Sequence, residues 1–306
     1  MTDAALQRAT EQVLAAKTRP LIQVVTFFDE PTFTATHVVF DPATRRGAIV
    51  DSVLNFDYAS GRTSTRGANE IIDYVNRESL KIDWLLETHA HADHLSAAPY
   101  LQRKLDGKLA IGREIATVQT VFGKLFNFGA EFARDGSQFD RLFGDGDTFA
   151  VGEIPAITLH VPGHTPADVA FVIGDAAFIG DTLFMPDYGT ARADFPGGDA
   201  RALYRSIRRL LSLPAETRLF LCHDYKAPGR DHFLWETTVG DERTKNVHVH
   251  DGVEEEAFVS MRTARDKTLD LPHLILPSVQ VNVRGGRLPP AEDNGTRYLK
   301  LPLDVF

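Results

Sequence analysis

The sequence predicts an α/β fold with a metal centre at one edge of a sheet, and three observations support that prediction. Strand-like apolar segments alternate with amphipathic helical patterns in both halves of the chain. Residues of the types that bind metals follow directly after several strands, above all in the stretch 88–95. No Gly/Ser-rich or Pro-rich linker divides the chain. We therefore predict a single domain over residues 1–306, with a core at about 20–245, an insertion at 114–142 and a C-terminal extension at 246–306.

Composition argues against several classes of partner. The chain has 306 residues, of which 43% are hydrophobic, so it can bury a large core. Its formal net charge is −9 and it has no basic run, which argues against a nucleic-acid partner. The single cysteine, Cys222, excludes an intrachain disulfide and is typical of a reducing compartment. No apolar run reaches the roughly 18 residues that span a bilayer, and residues 1–19 predict a helix without the apolar stretch of a signal peptide. We expect a soluble, cytoplasmic protein with a small-molecule substrate and no membrane partner.

The chain opens with a predicted strand meander. Residues 21–56 contain three apolar or alternating segments, at 22–25, 35–40 and 47–51. Turn-forming residues at 41–44 lie between two of them, which favours an antiparallel arrangement. Asp51 ends the third segment, where it could be a turn residue or could accept a hydrogen bond from a metal-binding histidine. Ser64 or Thr65 is then placed to begin a helix.

The stretch THAHADHL at 88–95 is the strongest functional signal. It follows an apolar strand at 82–86 and precedes helical spacing that starts at Leu95. Three imidazoles and one carboxylate fall within six residues and are separated only by alanine. Borderline divalent metals bind these two ligand types, and small intervening residues let a tight loop turn several side chains toward one point. We therefore interpret the stretch as a metal-binding loop rather than a histidine-rich surface loop.

The insertion at 114–142 and its end are rich in phenylalanine, namely Phe122, Phe126, Phe128, Phe132, Phe139 and Phe143. This density favours a packed cover or a subunit interface over a cofactor site. Aromatic surface of this extent rarely stays in water, so we expect a homodimer. Residues 144–147 predict a plain turn, since they lack the ligand count of a calcium loop.

The second half repeats the alternation of strands and helices. Strands are predicted at 157–161, 170–173, 177–180 and 219–222, and a helix at 199–213. His164, Asp181 and His223 each lie just beyond one of these strands, so we expect all three at the same sheet edge as the 88–95 loop. Residues 240–306 predict one more helix followed by an extended tail.

Four motifs together resemble the metallo-β-lactamase superfamily. They are HAHADH at 89–94, PGHT at 162–165, GDTLF at 180–184 and CHDY at 222–225. The resemblance covers about residues 22–243 and implies an αββα sandwich with the metals at one sheet edge.

Within the superfamily the sequence looks closest to the persulfide dioxygenases, the glyoxalase-II-like iron proteins that oxidise glutathione persulfide. The supporting residues are ETHAHADH from Glu87, RADF at 192–195, HDY at 223–225 and ERT at 242–244. Asp168 stands where related hydrolases carry a histidine, which favours the dioxygenases. Thr190 and Ala193 differ from the mitochondrial enzyme, and the insertion and tail look more like a bacterial subgroup that includes β-lactamase-like hydrolases.

The resemblance implies one Fe(II) per chain, bound by His89, His164 and Asp181. Two imidazoles and one carboxylate leave open positions for a persulfide and O2, and the products would be sulfite and a thiol. The remaining ligand-type residues would orient these ligands through hydrogen bonds; they are His91, Asp93, His94 and His223.

Two other functions stay open. In a two-zinc hydrolase of thioesters or lactones, the first metal would be bound by His89, His91, His164 and Asp181, and the second by Asp93, His94 and His223. A metal-dependent sensor without catalysis is the third alternative, and only the Phe-rich insertion supports it.

Arg192 and Tyr225 are our candidates for binding the carboxylates of a tripeptide thiol. The alternative for Arg192 is a structural salt bridge with Asp194. Cys222 follows an apolar strand, so we expect a buried packing thiol rather than a persulfide carrier.

Overall fold

A computed structural model describes residues 3–16 and 22–305 of the chain. In chain order, its strands are β1 (Gln23–Asp29), β2 (Thr34–Phe40), β3 (Arg46–Val50), β4 (Val53–Asp57), β5 (Arg62–Ser64), β6 (Lys81–Leu86), β7 (Leu95–Ser96), β8 (Lys108–Gly112), β9 (Arg141–Phe143), β10 (Thr148–Val151), β11 (Ile154–His160), β12 (Val169–Ile173), β13 (Ala176–Phe178), β14 (Arg218–Phe220) and β15 (Glu236–Thr238). The helices are α1 (Ala4–Ala16), α2 (Arg66–Arg77), α3 (Ala98–Leu105), α4 (Ile115–Leu125), α5 (Ala200–Leu210), α6 (Val239–Lys245), α7 (Glu255–Asp266) and α8 (Ile275–Asn282).

The strands form two six-stranded sheets and one small sheet. The first sheet has the order β1-β2-β3-β6-β8-β9, the second β10-β11-β12-β13-β14-β15, and the small sheet β5-β4-β7. The predicted antiparallel meander is present, since β2 pairs antiparallel with both β1 and β3. From β3 onward the first sheet is parallel. The loops after β3 and β6 therefore emerge at the same sheet edge.

The two sheets pack face to face, and helices cover both outer faces. The core between the sheets combines Val50 and Leu86 of the first sheet with Phe171, Phe178 and Phe220 of the second. Apolar residues of α2, α3, α4 and α8 pack on the outer face of the first sheet. Those of α1, α5 and α7 pack on the second. This is the αββα sandwich that the sequence predicted, and burial of the apolar side of each layer stabilises it.

The Phe-rich insertion packs against its own chain. It consists of α4, a connecting loop and the edge strand β9. Its rings are buried in the cluster that covers the first sheet, except that of Phe143, which lies in the core between the two sheets. Phe126 and Phe128 stack at 5.8 Å between ring centroids, and Phe132 meets Phe128 edge-on at 4.9 Å. The rings therefore provide no exposed surface for a homodimer, and the homodimer stays a prediction without this support. The sensor alternative loses its only argument.

Two local predictions are wrong. The helix after the metal-binding loop begins at Ala98 rather than Leu95, because Leu95–Ser96 instead forms β7 and pairs with β4. Residues 240–306 contain parts or all of three helices rather than one. The missed α8 is buried on nearly every side, so it has no polar face and shows no amphipathic period.

The predicted N-terminal helix is present as α1, and residues 1–2 and 17–19 of that prediction lie outside the described residues. Thr65 stands at the N-cap of α2 as predicted, but its side chain makes no capping hydrogen bond. In the described part of the chain, none of the helices has the length and apolar character needed to cross a membrane. The division into core, insertion and extension stays a prediction, although α7 and α8 of the extension pack into the clusters on the two sheets.

Candidate metal centre

The predicted ligands converge at one edge of the sandwich in two groups. The first group is His89, His164 and Asp181, and the second is His91, Asp93, His94 and His223. Within each group, the candidate ligand atoms all lie within 4.8 Å of one another. The loops that follow β6, β11, β13 and β14 supply these residues. The edge position expected from the sequence is therefore correct.

Asp181 lies between the two groups. Its Oδ2 atom is 3.8 Å from His89 Nε2 and 3.5 Å from His164 Nε2. Its Oδ1 atom is 3.4 Å from Nε2 of His223, and the same nitrogen lies 3.2 Å from Asp93 Oδ2. One carboxylate thus presents one oxygen to each group, which suits either a single metal with a nearby partner site or two bridged metals.

Hydrogen bonds fix the orientation of the ligand rings. His164 Nδ1 donates to the backbone carbonyl of Arg192 at 2.8 Å, and His223 Nδ1 donates to that of Phe33 at 3.1 Å. His89 Nδ1 faces the hydroxyl of Thr88 at 3.0 Å. With one ring nitrogen held in this way, the other is directed toward the centre, as in metal-binding histidines.

Several buried polar atoms at the centre lack a hydrogen-bond partner among the described residues. They are His89 Nε2, His91 Nδ1, His94 Nε2, Asp181 Oδ1 and His223 Nε2. A buried polar atom without a partner is uncommon and destabilising. Divalent metals bound at both groups would satisfy all of them, and a set of imidazole nitrogens and carboxylate oxygens is typical of zinc and non-haem iron. The residues present therefore fit a metal.

Asp51 holds the metal-binding loop in place through contacts with Thr88 and His91. Its carboxylate accepts from the Thr88 amide at 2.8 Å and the Thr88 hydroxyl at 2.9 Å, and lies 3.0 Å from His91 Nε2. Of the two roles that the sequence left open for Asp51, the structure supports the hydrogen-bond acceptor. Burial opposes its ionisation, but His91 and the Thr88 donors hold the pKa of Asp51 below its usual value. Burial and the neighbouring His91 hold the pKa of His89 well below its usual value, so His89 is neutral and able to bind a metal.

Gly180 explains how Asp181 reaches the centre. The backbone of Gly180 has a φ of +53°, and a Cβ there would lie 2.6 Å from the Thr88 hydroxyl. Both the left-handed conformation and the contact require glycine. The short 3-10 helix Gly180–Thr182 can therefore press against the metal-binding loop, which brings Asp181 next to His89.

A family model described as the metallo-beta-lactamase superfamily matches residues 30–223. The chain belongs to this superfamily. It is 58% identical over 290 residues to a probable metallo-hydrolase of Burkholderia pseudomallei, covering 92% of this chain and 98% of that protein. It is 46% identical over 275 residues to glyoxylase B2 of Dictyostelium discoideum, covering 89% and 94%. It is 30% identical over 268 residues to the mitochondrial persulfide dioxygenase ETHE1 of Mus musculus, covering 86% and 89%.

Among solved structures, that of ETHE1 from Myxococcus xanthus is similar over 88% of this chain and all of that chain, with a TM-score of 0.67 and 28% identity. The relatives and this structure confirm the resemblance that the four motifs predicted. The ligand groups of this chain lie at the edge of its αββα sandwich, as the resemblance implied.

A cavity of about 540 Å³ opens onto the candidate metal centre. Asp93, His164 and Asp181 lie at its base, and its walls include the aromatic rings of Phe33, Phe184, Tyr188 and Tyr225. Tyr225 was predicted to bind substrate, and its ring stacks on His223 at 5.7 Å between centroids. The cavity is large enough for a small organic ligand and places it directly on the ligand groups.

The guanidinium of Arg192 is already engaged in hydrogen bonds within the protein. Its guanidinium binds both carboxylate oxygens of Asp194, at 2.6 and 2.9 Å, and donates to the carbonyl of Asp270 at 2.6 Å. The structural salt bridge that the sequence left open is therefore present, and the backbone carbonyl of Arg192 orients His164. Arg265 of α7 also lines the cavity, is exposed, and takes part in none of the ion pairs found among the described residues. No local sequence pattern indicated Arg265, since it lies on a helix in the extension.

Cys222 is buried, as predicted, and burial raises the pKa of its thiol. Its sulfur belongs to a group with Asp181 and His223 whose candidate ligand atoms lie within 4.8 Å of one another. The thiol is therefore neutral and lies beside the ligands rather than in the cavity.

Proposed function

We propose that the chain is a non-haem Fe(II)-dependent persulfide dioxygenase. Its substrate would be glutathione persulfide or a similar low-molecular-weight persulfide, in sulfide detoxification. One persulfide, one O2 and one water would give one thiol and one sulfite. The observation that supports this most is the group of His89, His164 and Asp181, because two imidazoles and one carboxylate are the ligand set of iron oxygenases. The similarity to the mouse persulfide dioxygenase supports the substrate class.

Iron held by His89, His164 and Asp181 would supply open coordination positions and the redox chemistry that O2 requires. The chain itself would supply orientation and a dry surface. The carbonyl of Arg192 and the hydroxyl of Thr88 hold the two ligand histidines, and the aromatic wall of the cavity excludes water from one side of the substrate. Under this proposal His91, Asp93, His94 and His223 orient the ligands rather than bind the iron.

For substrate binding we propose Tyr225 on the cavity wall and Arg265 at its edge. A tripeptide thiol carries carboxylates, and an unpaired guanidinium binds a carboxylate bidentately. Arg265 suits this role better than Arg192, whose guanidinium already binds Asp194. We also propose a cytoplasmic location, since the single thiol of the chain suits a reducing compartment.

A second candidate is a two-zinc hydrolase of thioesters or lactones. The second ligand group is complete, and Asp181 presents an oxygen to each group. The similarity to the Burkholderia probable metallo-hydrolase and to glyoxylase B2 also supports it. Metals held by these two groups would polarise the carbonyl oxygen and would supply an activated water for hydrolysis.

The metal content and the oxygen consumption of one preparation distinguish the two. The protein is purified without added metal or chelator, its iron and zinc are measured, and O2 uptake is followed with glutathione persulfide. About one iron per chain with persulfide-dependent O2 uptake is expected. About two zincs per chain, no O2 uptake and hydrolysis of a thioester or lactone would replace the dioxygenase with the hydrolase.

A further inference from the structure

Helix α8 of the C-terminal extension packs directly against the metal-binding region. It contacts β7, the short strand that follows the ligand loop, and nearly every one of its residues is buried. Three buried residues are polar: Ser278, Gln280 and Asn282. A buried carboxamide destabilises a fold unless its donors and its acceptor are paired, so the partners of these side chains have a definite role.

The side chain of Asn282 forms its hydrogen bonds with the ligand loop. Its Nδ2 atom donates to the carbonyl of His91 at 2.8 Å and to that of His94 at 2.7 Å. Its Oδ1 atom accepts from the amide of Ser96 at 2.9 Å. Both donors and the acceptor are therefore used, and the backbone from 91 to 96 is held at three points by a residue about 190 positions away in sequence.

The loop needs such a support because it lacks regular secondary structure. Residues 88–94 belong to no strand or helix, and the carbonyls of His91 and His94 accept from the Asn282 side chain rather than from a neighbouring strand. Carbonyls fixed at 91 and 94 determine the backbone angles between them and hence the directions of the His91, Asp93 and His94 side chains. A shift of the backbone here would move several ligand-type atoms together.

A close contact at the end of α8 fixes its position on the loop. Gly286 follows the helix with a φ of +76°, and a Cβ there would lie 3.0 Å from the Ser96 carbonyl and 2.6 Å from a side-chain atom of Pro99. The chain after α8 therefore touches the same segment that Asn282 binds. Helix, glycine and loop form one packed unit.

We propose that Asn282 is a positioning residue of the metal centre. It touches no ligand side chain, and it acts through the loop backbone that presents His91, Asp93 and His94. The proposal goes beyond the assignment of a reaction, because the same loop carries His89, a ligand in both the iron dioxygenase and the two-zinc hydrolase.

Gln280 provides a matched control on the same helix. It is as buried as Asn282, and its carboxamide is also fully engaged with backbone groups. Its long-range partner is the C-terminal tail rather than the loop: Nε2 donates to the Lys300 carbonyl at 2.8 Å and Oε1 accepts from the Lys300 amide at 2.9 Å. Loss of either carboxamide should therefore lower stability, but only loss of Asn282 should affect the metal.

The test is titration of the metal-free protein with Co²⁺, whose visible spectrum reports affinity and coordination geometry. Asn282→Ala, the isosteric Asn282→Asp and Gln280→Ala are compared with the wild type, and folding is checked by circular dichroism. We expect both Asn282 variants to bind Co²⁺ about 10- to 100-fold more weakly with an altered spectrum, as is typical when support for a metal ligand is lost. Gln280→Ala should keep the wild-type affinity and spectrum. Wild-type affinity in a folded Asn282 variant would overturn the proposal.

A second measurement needs no variant. Hydrogen exchange of the wild-type protein is compared with and without Co²⁺ at the amides of Ser96 and Lys300, which bind Asn282 and Gln280 respectively. By linkage, metal binding should slow exchange at Ser96 and leave Lys300 unchanged. If metal binding changed hydrogen exchange equally at the two amides, the proposed role of Asn282 would be overturned. A wild-type protein that binds no Co²⁺ would overturn this inference and the proposed function together.

Discussion

At the scale of single residues, the centre separates into atoms that are free to bind a metal and atoms that hold the ligands in place. His89 and His223 each have one nitrogen engaged with the protein and one without a partner. Asp181 divides its oxygens between the two ligand groups. This division of roles predicts which substitutions distinguish one metal from two.

Replacement of His94 by alanine removes a member of the second group and leaves the first intact. An iron dioxygenase should keep about one metal per chain and measurable O2 uptake, because His89, His164 and Asp181 remain. A two-zinc hydrolase should lose more than about 100-fold of its activity, because the second metal is no longer held. Metal content and both activities are measured beside His232→Ala, an exposed histidine outside both groups. Hydrolysis that survives in the His94 variant would contradict the two-zinc scheme.

Arg265→Gln tests the binding of a substrate carboxylate. A charge-assisted hydrogen bond at an exposed site contributes about 1 kcal/mol, so the KM for glutathione persulfide should rise about fivefold with kcat unchanged. A persulfide without carboxylates should react as with the wild type. Lys267→Gln is the control, since Lys267 is an exposed cation two residues further along the chain that does not line the cavity. An unchanged KM would remove Arg265 from the substrate site.

At the scale of elements, the C-terminal helices support the centre from two sides. Besides α8, helix α7 holds the segment that carries Arg192. Arg262 of α7 donates to the Thr190 carbonyl at 3.0 Å, and Asp266 accepts from the Ala193 amide at 2.9 Å. The carbonyl of Arg192, between these two points, orients His164. The extension is therefore part of the support of the metal centre and not an appendage.

Arg262→Leu should destabilise the protein strongly. Arg262 is 1% exposed and its Nε donates to Asp266 at 2.7 Å, so its loss leaves a buried carboxylate without its charge partner. Breaking a buried pair in this way costs about 3–5 kcal/mol. Urea unfolding gives the value, and Arg201→Leu is the comparison, because the surface ion pairs of Arg201 with Glu255 and Glu256 should contribute much less than the buried pair. Similar losses in the two variants would show that the buried pair has no special role.

At the scale of the whole molecule, the packing of layers decides which charges are buried. Glu242 of α6 is fully buried, accepts from Asn246 at 2.6 Å, and through Asn246 is linked to the segment at Gly189. Burial raises the pKa of Glu242 to about 8, and the charges of Asp241 and Asp187 act in the same direction. The folded protein therefore keeps this proton at a pH where the unfolded chain loses it.

Stability should fall as the pH rises from about 4.5 to about 8, because over that range the folded state binds one more proton at Glu242 than the unfolded state. The contribution is at most about 5 kcal/mol, from roughly 1.4 kcal/mol per pH unit. Glu242→Gln should remove this pH-dependent contribution, and the variant should be more stable than the wild type above pH 8. Urea unfolding of both proteins at several pH values gives the difference, in which other titrating groups cancel. A difference independent of pH would contradict a protonated Glu242.

The candidate ligands could be predicted from the sequence because they lie in short motifs directly after apolar strands. HAHADH, PGHT and GDTLF combine local strand patterns with ligand chemistry, and the sheet brings their ends together. The alternation of strands and helices predicted an α/β fold, and the resemblance implied the αββα sandwich. Asp51 was likewise recognised as a candidate hydrogen-bond acceptor for a metal-binding histidine, because it ends an apolar strand.

Long-range packing decided the rest. Arg192 looked like a substrate residue, but its guanidinium pairs with Asp194 and its carbonyl acts on His164. Arg265 and Asn282 lie on helices without a ligand motif, and no local pattern indicates that a helix from the end of the chain reaches a loop at 91–96. Local sequence thus determined which residues can bind a metal, since ligand chemistry and strand periodicity are local properties. Only the tertiary structure decided which residues hold those ligands in place, because hydrogen bonds and burial between distant segments exist only after folding.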